Sequence, residues 1–311
     1  MPSPEWLIER GIGETRYALV EGGRIVEARI LRNDVIPAGT VLEARLKGVG
    51  RNAIAIAGGK EYLLPKGAPR ATEGAKLSIE ITREDLGGSE PWKRPLGRIT
   101  DKVPGEVAVQ KGRDARSGEL DEAGWEDVIE EARSGLISFS GGALRVSLTP
   151  AMTLIDVDGH LPPDKLAIAG AKAAAETIRR HGVGGSIGLD LPTVDGKAAR
   201  QAAAGAVDEV LRQPFERTAV NGFGFLQIVR PRAHASLFEL AADRASFEAR
   251  ALLRRAGREV GAIRLAAHRA VIDVLSRNRS WIEQLSRQVG GAVTLRSDPS
   301  LAISAGYAER A

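Results

Sequence analysis

A chain of 311 residues is long enough for about two domains at ~100–200 residues each. Hydrophobic residues at 43% and charged ones at 27% describe an ordinary globular protein and exclude a disordered or fibrous one. Zero cysteines exclude disulfides, thiolate zinc sites, iron–sulfur clusters and a cysteine nucleophile, and a net charge of +4 permits a nucleic-acid partner without requiring one.

No stretch approaches the ~18 consecutive apolar residues of a membrane span, and the start, MPSPEWLIERG, lacks the basic and apolar regions of a secretory signal. The expectation is a cytoplasmic protein without a membrane partner. His160, His181, His234 and His268 show no metal-ligand spacing, so histidine-ligated zinc is not expected either. Aromatics make up only 4% of the chain, which leaves few platforms for base stacking and makes each exposed one worth following.

In chain order, a strand at 6–9 precedes two alternating runs, 16–20 and 24–31, joined by Gly22-Gly23 as a hairpin. Four short strand-like runs follow, GTVLEARLKGV, RNAIAIAGG, KEYLLPKG and AKLSIEITRED, divided by Gly and Pro. Their rhythm suggests a small β-barrel over 38–86, of a length that fits an OB-fold, whose groove commonly takes single-stranded nucleic acid. Residues 87–120 read as a connecting region with one strand at 106–110. In it, Trp92 beside Lys93 and Arg94 reads either as a stacking and phosphate contact or as a surface linker whose Trp packs on a neighbour. An amphipathic helix is expected at 121–133, with acidic residues near its start as the helix dipole favours.

From 138 the pattern turns α/β. Strands ALRVSLTP and MTLIDVDG lead to a helix at 163–181, a strand SIGLDL, a helix at 197–212 and a strand FGFLQIVR, which implies parallel βαβ units. The last 70 or so residues carry helical runs at 246–258 and 268–288 and strands at 262–265, 292–295 and 301–304, a second and smaller α/β unit.

The informative segment is Thr153-Leu-Ile-Asp156-Val-Asp158-Gly159. Side chains alternate along a strand, so Asp156 and Asp158 share one face, about 7 Å apart at roughly 3.3 Å per residue. Asp190 stands at the matching place in its own apolar run. If the helix between them is a right-handed crossover, both strands end on the same sheet edge, where ligands of open α/β sheets collect. Carboxylates gathered there call for a compensating charge, and oxygen-only ligation suits Mg²⁺, with Mn²⁺ as a substitute. The same aspartates also read as turn formers and caps, with Asp158-Gly159 and Asp195-Gly196 as turns. Arg230-Pro-Arg232, at the end of its strand, is expected to reach phosphates at the same edge, or else to be a solvated pair.

The order SGGALRVSLTPAMTLIDVDG, KAAAETIRRHGVGG, SIGLDL and NGFGFLQIVRPR resembles the catalytic region of the ribonuclease E/G family of single-strand endoribonucleases. The start TRYALVEGGRIVEARI and the barrel after it resemble that family's beginning and its OB-fold. The resemblance covers most of the chain and is strongest at 138–235. It implies that Asp156 and Asp190 bind a magnesium ion that activates water against an RNA phosphodiester, leaving a 3′-hydroxyl and a 5′-phosphate. Asp158 stands where the family has an asparagine and becomes an auxiliary ligand or a water-orienting group. Arg230 and Arg232 match a basic pair, and Tyr62 matches an aromatic that stacks a base, while a second aromatic position is Ile54 here. Lys47, Arg51, Lys60 and Lys66 of the barrel would hold the strand through its phosphates. The CPxCxG-like zinc link of some members is absent, which excludes a zinc-linked dimer and leaves a zinc-free one open. The Arg-Thr pair that reads a 5′-monophosphate is not found either, so 5′-end sensing loses its basis.

The expected fold class is therefore α/β (α+β multidomain). An N-terminal β-hairpin segment at 1–37 packs on the catalytic region, with an OB-fold-like RNA-binding barrel inserted at 38–86. A shortened connecting region at 87–137 leads to an α/β catalytic domain with a mixed sheet at 138–236 and a small C-terminal α/β domain at 237–311. The function implied is a Mg²⁺-dependent endoribonuclease on single-stranded RNA. The alternative is a non-catalytic RNA-binding protein that keeps the fold.

Overall fold

The computed structural model describes residues 3–69, 71–87, 93–105 and 110–311, and among them it is a mixed α/β structure of 18 strands and eight helices. Trp92 and nearly all of the strand expected at 106–110 lie outside the described residues.

Strands β1 (Glu5–Arg10), β2 (Glu14–Glu21) and β3 (Arg24–Arg32) form an antiparallel meander. Gly22 and Gly23 both have positive φ, 59° and 78°, as a two-residue hairpin whose twist matches its strands requires. A bulge opposite Leu19/Val20 changes the parity of β3, so that Ile25 and then Ala28 and Ile30 all face the core.

The barrel is closed and five-stranded, consistent with an OB-like barrel. Its strands are β4 (Val41–Gly48), β5 (Ala53–Ala57), β6 (Lys60–Leu64), β7 (Lys76–Arg83) and β8 (Leu96–Ile99), in the order β4-β5-β6-β8-β7. Its core is Ala44, Leu46, Leu64, Ile79 and Ile81 around three alanines of β5, whose small side chains leave room for Tyr62. The strand that closes it lies past residue 86, in what reads from sequence as connecting region. LGRI is a four-residue run flanked by basic residues and Pro, and only its non-local pairing with β6 and β7 makes it a strand.

The chain then returns to the first sheet, where β9 (Arg113–Asp114) pairs parallel with β1. The helix expected at 121–133 is two, α1 (Glu119–Glu122) and α2 (Trp125–Ser134), because Gly124 between them takes φ 94°. The main sheet follows: β10 (Leu136–Phe139), β11 (Gly142–Leu148), β12 (Thr153–Gly159), α3 (Pro163–Arg180), β13 (Gly185–Asp190), α4 (Lys197–Val210), β14 (Glu216–Arg217) and β15 (Phe225–Arg230). Its order is β10-β11-β12-β13-β15-β14, with β12 and β13 parallel and the other neighbours antiparallel. One βαβ unit is thus parallel, and the second, expected from α4, is not. Helix α4 packs on α3, and β15 arrives reversed beside β13.

Alanine-rich α3 touches β10, β11 and β12 of this sheet and β3 of the first. One continuous core results, with Ile155, Val157, Ile187, Leu189, Leu226 and Ile228 on the main-sheet side and Leu7, Ala18 and Ile30 on the other. The face of the main sheet that carries Arg145, Asp158, Asp190 and Val229 stays open to solvent.

Past residue 236, α5 (Leu237–Ala242) starts with a full capping box of Ser236 and Glu239. Then come α6 (Arg244–Ala256), β16 (Ile263–Ala267), α7 (Arg269–Arg277), α8 (Arg279–Val289), β17 (Val293–Ser297) and β18 (Tyr307–Arg310). The single helix expected at 268–288 breaks at Asn278, whose side-chain amide donates to Val274 O at 2.8 Å. The strand expected at 301–304 is a turn, and the third strand of this sheet is β18 instead. Arg254 fastens this unit to the first sheet and to the α1–α2 region, bonding Glu9 at 2.7 Å, Asp121 at 2.8 Å and Glu126 at 3.0 Å. Among the described residues no helix is long and apolar enough to cross a membrane.

Candidate active site

The period-two pattern of TLIDVDG holds: Thr153, Ile155 and Val157 are buried under α3, and Asp156 and Asp158 lie on the open face. The parallel ladder places Asp156 directly opposite Asp190, the last residue of β13. Neighbouring strands are about 4.8 Å apart, so two carboxylates are held side by side by backbone pairing alone. Across the other edge of β12, Arg145 stands opposite Asp156 and Ala143 opposite Asp158.

Burial pushes the carboxyl of Asp156 above its ordinary value, and the charges of Asp158 and Asp190 push it further, while Arg145 pulls back. The cluster therefore carries more negative charge than its own surroundings balance. A single divalent cation held by one or two carboxylates would relieve it, since Mg²⁺ takes its remaining ligands from water and substrate oxygens. Among the described residues no three or more His, Asp or Glu side chains gather as a protein-only metal cage.

The floor beside the carboxylates is apolar. Phe225 pairs with Asp190, and its ring lies across Gly188, where a Cβ would stand 2.6 Å from Cζ of the ring. Only glycine fits under it. Leu154 closes the floor from β12, and a Cβ at Gly188 would lie 2.9 Å from its Cδ2. His160 follows Asp158 at the same strand end and is exposed.

No protein-family model matches the chain, and a search of curated proteins finds no match either.

Arg230 and Arg232 do not join the aspartates. In the antiparallel ladder Arg230 pairs with Gly185 while Phe225 pairs with Asp190, so the arginine pair sits at the far edge, a strand length of about 17 Å away at ~3.4 Å per residue. The expectation rested on a parallel β15, and its reversal carries the strand's end to the wrong side. There Arg232 bonds Glu239 of the capping box, and the Nε and Nη1 of Arg230 are buried without a hydrogen-bond partner among the described residues. Burial lowers the pKa of Arg230, partly offset by Glu27.

Tyr62 is not a stacking platform. It pairs with Ala55, shares the inward face of the barrel and is 2% exposed, and burial followed by the charge of Asp85 raises its phenol. Its outward neighbours on the barrel wall are Glu61 and Leu63, opposite Ile56 and Ile54.

The four barrel cations are all exposed and differ in what they face. Lys47 bonds Glu61 at 2.6 Å and Lys60 meets Asp85 at 3.3 Å, whereas Arg51 and Lys66 have no ion pair among the described residues. Their loops touch, since a Cβ at Gly67 would lie 2.4 Å from Gly50 O and 3.8 Å from Arg51 Cα. Arg94 adds a fifth cation, 3.0 Å from Glu61.

The histidines other than His160 have local partners. His181 is buried, stacked on Phe238 at 4.5 Å and 3.2 Å from Glu131. His234 lies with Nδ1 3.0 Å from Ala235 O, and His268 accepts from Ala270 N at 3.2 Å as the cap of α7.

Sequence reasoning missed one residue on this edge. Phe223, in the turn before β15, is 84% exposed, and Thr193 Oγ1 donates to its carbonyl at 3.4 Å. The available signal was the string NGFG, an aromatic set in a turn where no core could receive it.

Proposed function

We propose that this protein is a divalent-metal-dependent endonuclease of single-stranded RNA, similar to the ribonuclease E/G family, with a cytoplasmic location as part of the same reading. The observation that carries it is the pairing of Asp156 with Asp190 on parallel strands at an open sheet edge. Asp156 and Asp190 would hold Mg²⁺, and Asp158 would orient its water shell. A bound Mg²⁺ supplies charge neutralisation at the phosphodiester and a water of lowered pKa. The donors fit, being hard oxygens, and burial together with their mutual repulsion already lifts the Asp156 carboxyl.

The chain's own residues would do the rest. Arg145, exposed beside Asp156, would donate to a phosphate oxygen of the bound strand. The barrel wall offers Lys47, Arg51, Lys60, Lys66 and Arg94 to the phosphates further along. Two of these five, Arg51 and Lys66, meet no carboxylate among the described residues and would contribute most.

A non-catalytic RNA-binding protein is the second reading. What favours it is Asp158, which adds a third negative charge beside the Asp156–Asp190 pair. The deciding experiment incubates a labelled unstructured RNA, with a 5′-monophosphate or a 5′-hydroxyl, in Mg²⁺ or EDTA, with wild type, Asp156→Asn and Asp190→Asn. Internal cleavage that needs the metal and both aspartates supports the nuclease, and equal rates on the two RNAs remove 5′-end sensing. RNA that is bound and never cut supports the second reading.

A further inference from the structure

The chain has six Phe, four Trp and three Tyr. Tyr17, Tyr62, Trp125, Phe238 and Phe247 are buried in the cores. Phe223 stands apart from them. Its ring is almost wholly in water, and its backbone is fixed. The Oδ1 of Asn221 accepts from Phe223 N at 2.9 Å and from Phe225 N at 3.0 Å, and Gly224 N donates to Asn221 O at 3.2 Å. Gly224 takes φ 88°, and a Cβ there would lie 2.1 Å from Leu191 O, so no other residue fits. Leu191 N, next to Asp190, donates to Gly224 O at 3.2 Å and ties the turn to the end of β13.

A large apolar ring kept in water by a rigid turn is held ready for a ligand. Its place is the edge where Asp190 ends its strand. The exposed residues tied to its turn, Asn221 and Thr193, with Asp190 at the adjoining strand end, are polar or charged, so the ring is not set in an apolar patch of the ~800 Å² that each partner gives to a stable protein interface. One flat face matches one nucleobase.

We propose that Phe223 is a nucleobase-stacking site, and that the base it holds flanks the phosphodiester placed over Asp156 and Asp190. The proposal rests on the nuclease reading for its choice of ligand. With the Asn221 oxygen engaged by the turn, the site offers chiefly a flat ring face, and it takes any base, larger ones more strongly.

The test is RNA binding in EDTA, where cleavage cannot intervene. Affinities of a short unstructured RNA are measured by fluorescence anisotropy for wild type, Phe223→Ala, Phe223→Leu, Phe223→Tyr and Asp190→Asn, each checked for an unchanged melting curve. Loss of the ring should weaken binding about 5- to 150-fold, equivalent to ~1–3 kcal/mol at ~1.4 kcal/mol per decade. Tyrosine should restore it and leucine should not. An RNA with one abasic position, moved along the strand, should show a position whose penalty disappears in Phe223→Ala. Equal affinity of Phe223→Ala and wild type, or an abasic profile that the substitution leaves unchanged, overturns the stacking site even if the protein cleaves RNA. A Phe223-dependent affinity without cleavage keeps the site and removes the nuclease, and absence of RNA binding in wild type overturns both.

Discussion

Asp156 and Asp190 face each other across the parallel β12–β13 ladder, two carboxylates of like charge held together by the strands that bear them. Burial and repulsion raise the Asp156 carboxyl, so the folded state binds its proton more tightly than the unfolded chain does. Stability from this group is full in acid and is lost as pH rises through the folded value. Asp156→Asn should therefore raise the melting temperature in EDTA at neutral pH by about 1–4 °C, and the gain should vanish in strong acid. Millimolar Mg²⁺ should stabilise wild type and leave Asp156→Asn and Asp190→Asn unmoved. Calorimetry with and without Mg²⁺ reads both effects, and a wild type indifferent to metal would count against the pair as a metal site.

Tyr62 is a core residue of the barrel, and its substitutions should behave so. Tyr62→Ala empties a site among Ala55, Leu64 and Ile79 and should cost on the order of 3–5 kcal/mol, as aromatic truncations in cores do. Tyr62→Phe should leave RNA affinity as it was. A marked loss of affinity in Tyr62→Phe, with stability intact, would return the phenol to the RNA interface.

The contrast between these sites shows what the sequence made legible. Alternation in TLIDVDG and SIGLDL fixed which side chains share a face, and the α3 crossover fixed that the strands run parallel, so the aspartate pair could be read directly. Direction was not readable for β15, because it depends on where a chain returning from α4 finds an open edge. Arg230 and Arg232 were misplaced for that reason. In KEYLL the parity was the difficulty: a shift of one residue exchanges inside for outside, and only the pairing of Tyr62 with Ala55 shows that the tyrosine points in. Strand β8 leaves no trace because LGRI is four residues long, carries a glycine and shows no apolar alternation, so only its pairing with β6 and β7 makes it a strand. Phe223 was missed because exposure of a turn residue leaves no periodic trace.

Glu61 restrains the barrel surface, accepting from Lys47 at 2.6 Å and standing 3.0 Å from Arg94. Lys47 above all holds its carboxyl below the ordinary range against burial, with a smaller contribution from Arg94. Glu61→Gln frees two cations for phosphates. RNA should bind a few-fold more tightly at low salt, with the slope of log K against log salt steeper by ~0.7 for each added phosphate contact. Titrations at several salt concentrations give that slope. Identical slopes for variant and wild type would place RNA away from this wall.

His234 gives the acid side of the stability curve a specific shape. Burial, then the positive charges of Arg29 and Arg230, bring its imidazole from 6.5 down to about 4, although the Ala235 carbonyl at 3.0 Å and Glu239 pull the other way. The folded protein keeps this ring neutral while the unfolded chain takes up a proton, so the unfolded state binds more protons between those two values. Stability must fall as pH drops through that window and stay level above it with respect to this group. The loss should be on the order of 1 kcal/mol or more, since each tenfold change in proton affinity is worth ~1.4 kcal/mol. Carboxylates titrate in the lower part of the same range, so the informative quantity is the difference between wild type and His234→Gln. Melting temperatures of the two should converge as pH falls from 6.5 toward 4, because only the wild type pays for the proton its unfolded chain has gained. Parallel curves would mean that the ring is protonated in place, with Arg29 and Arg230 moved aside, and that the surroundings of His234 are looser than its geometry indicates.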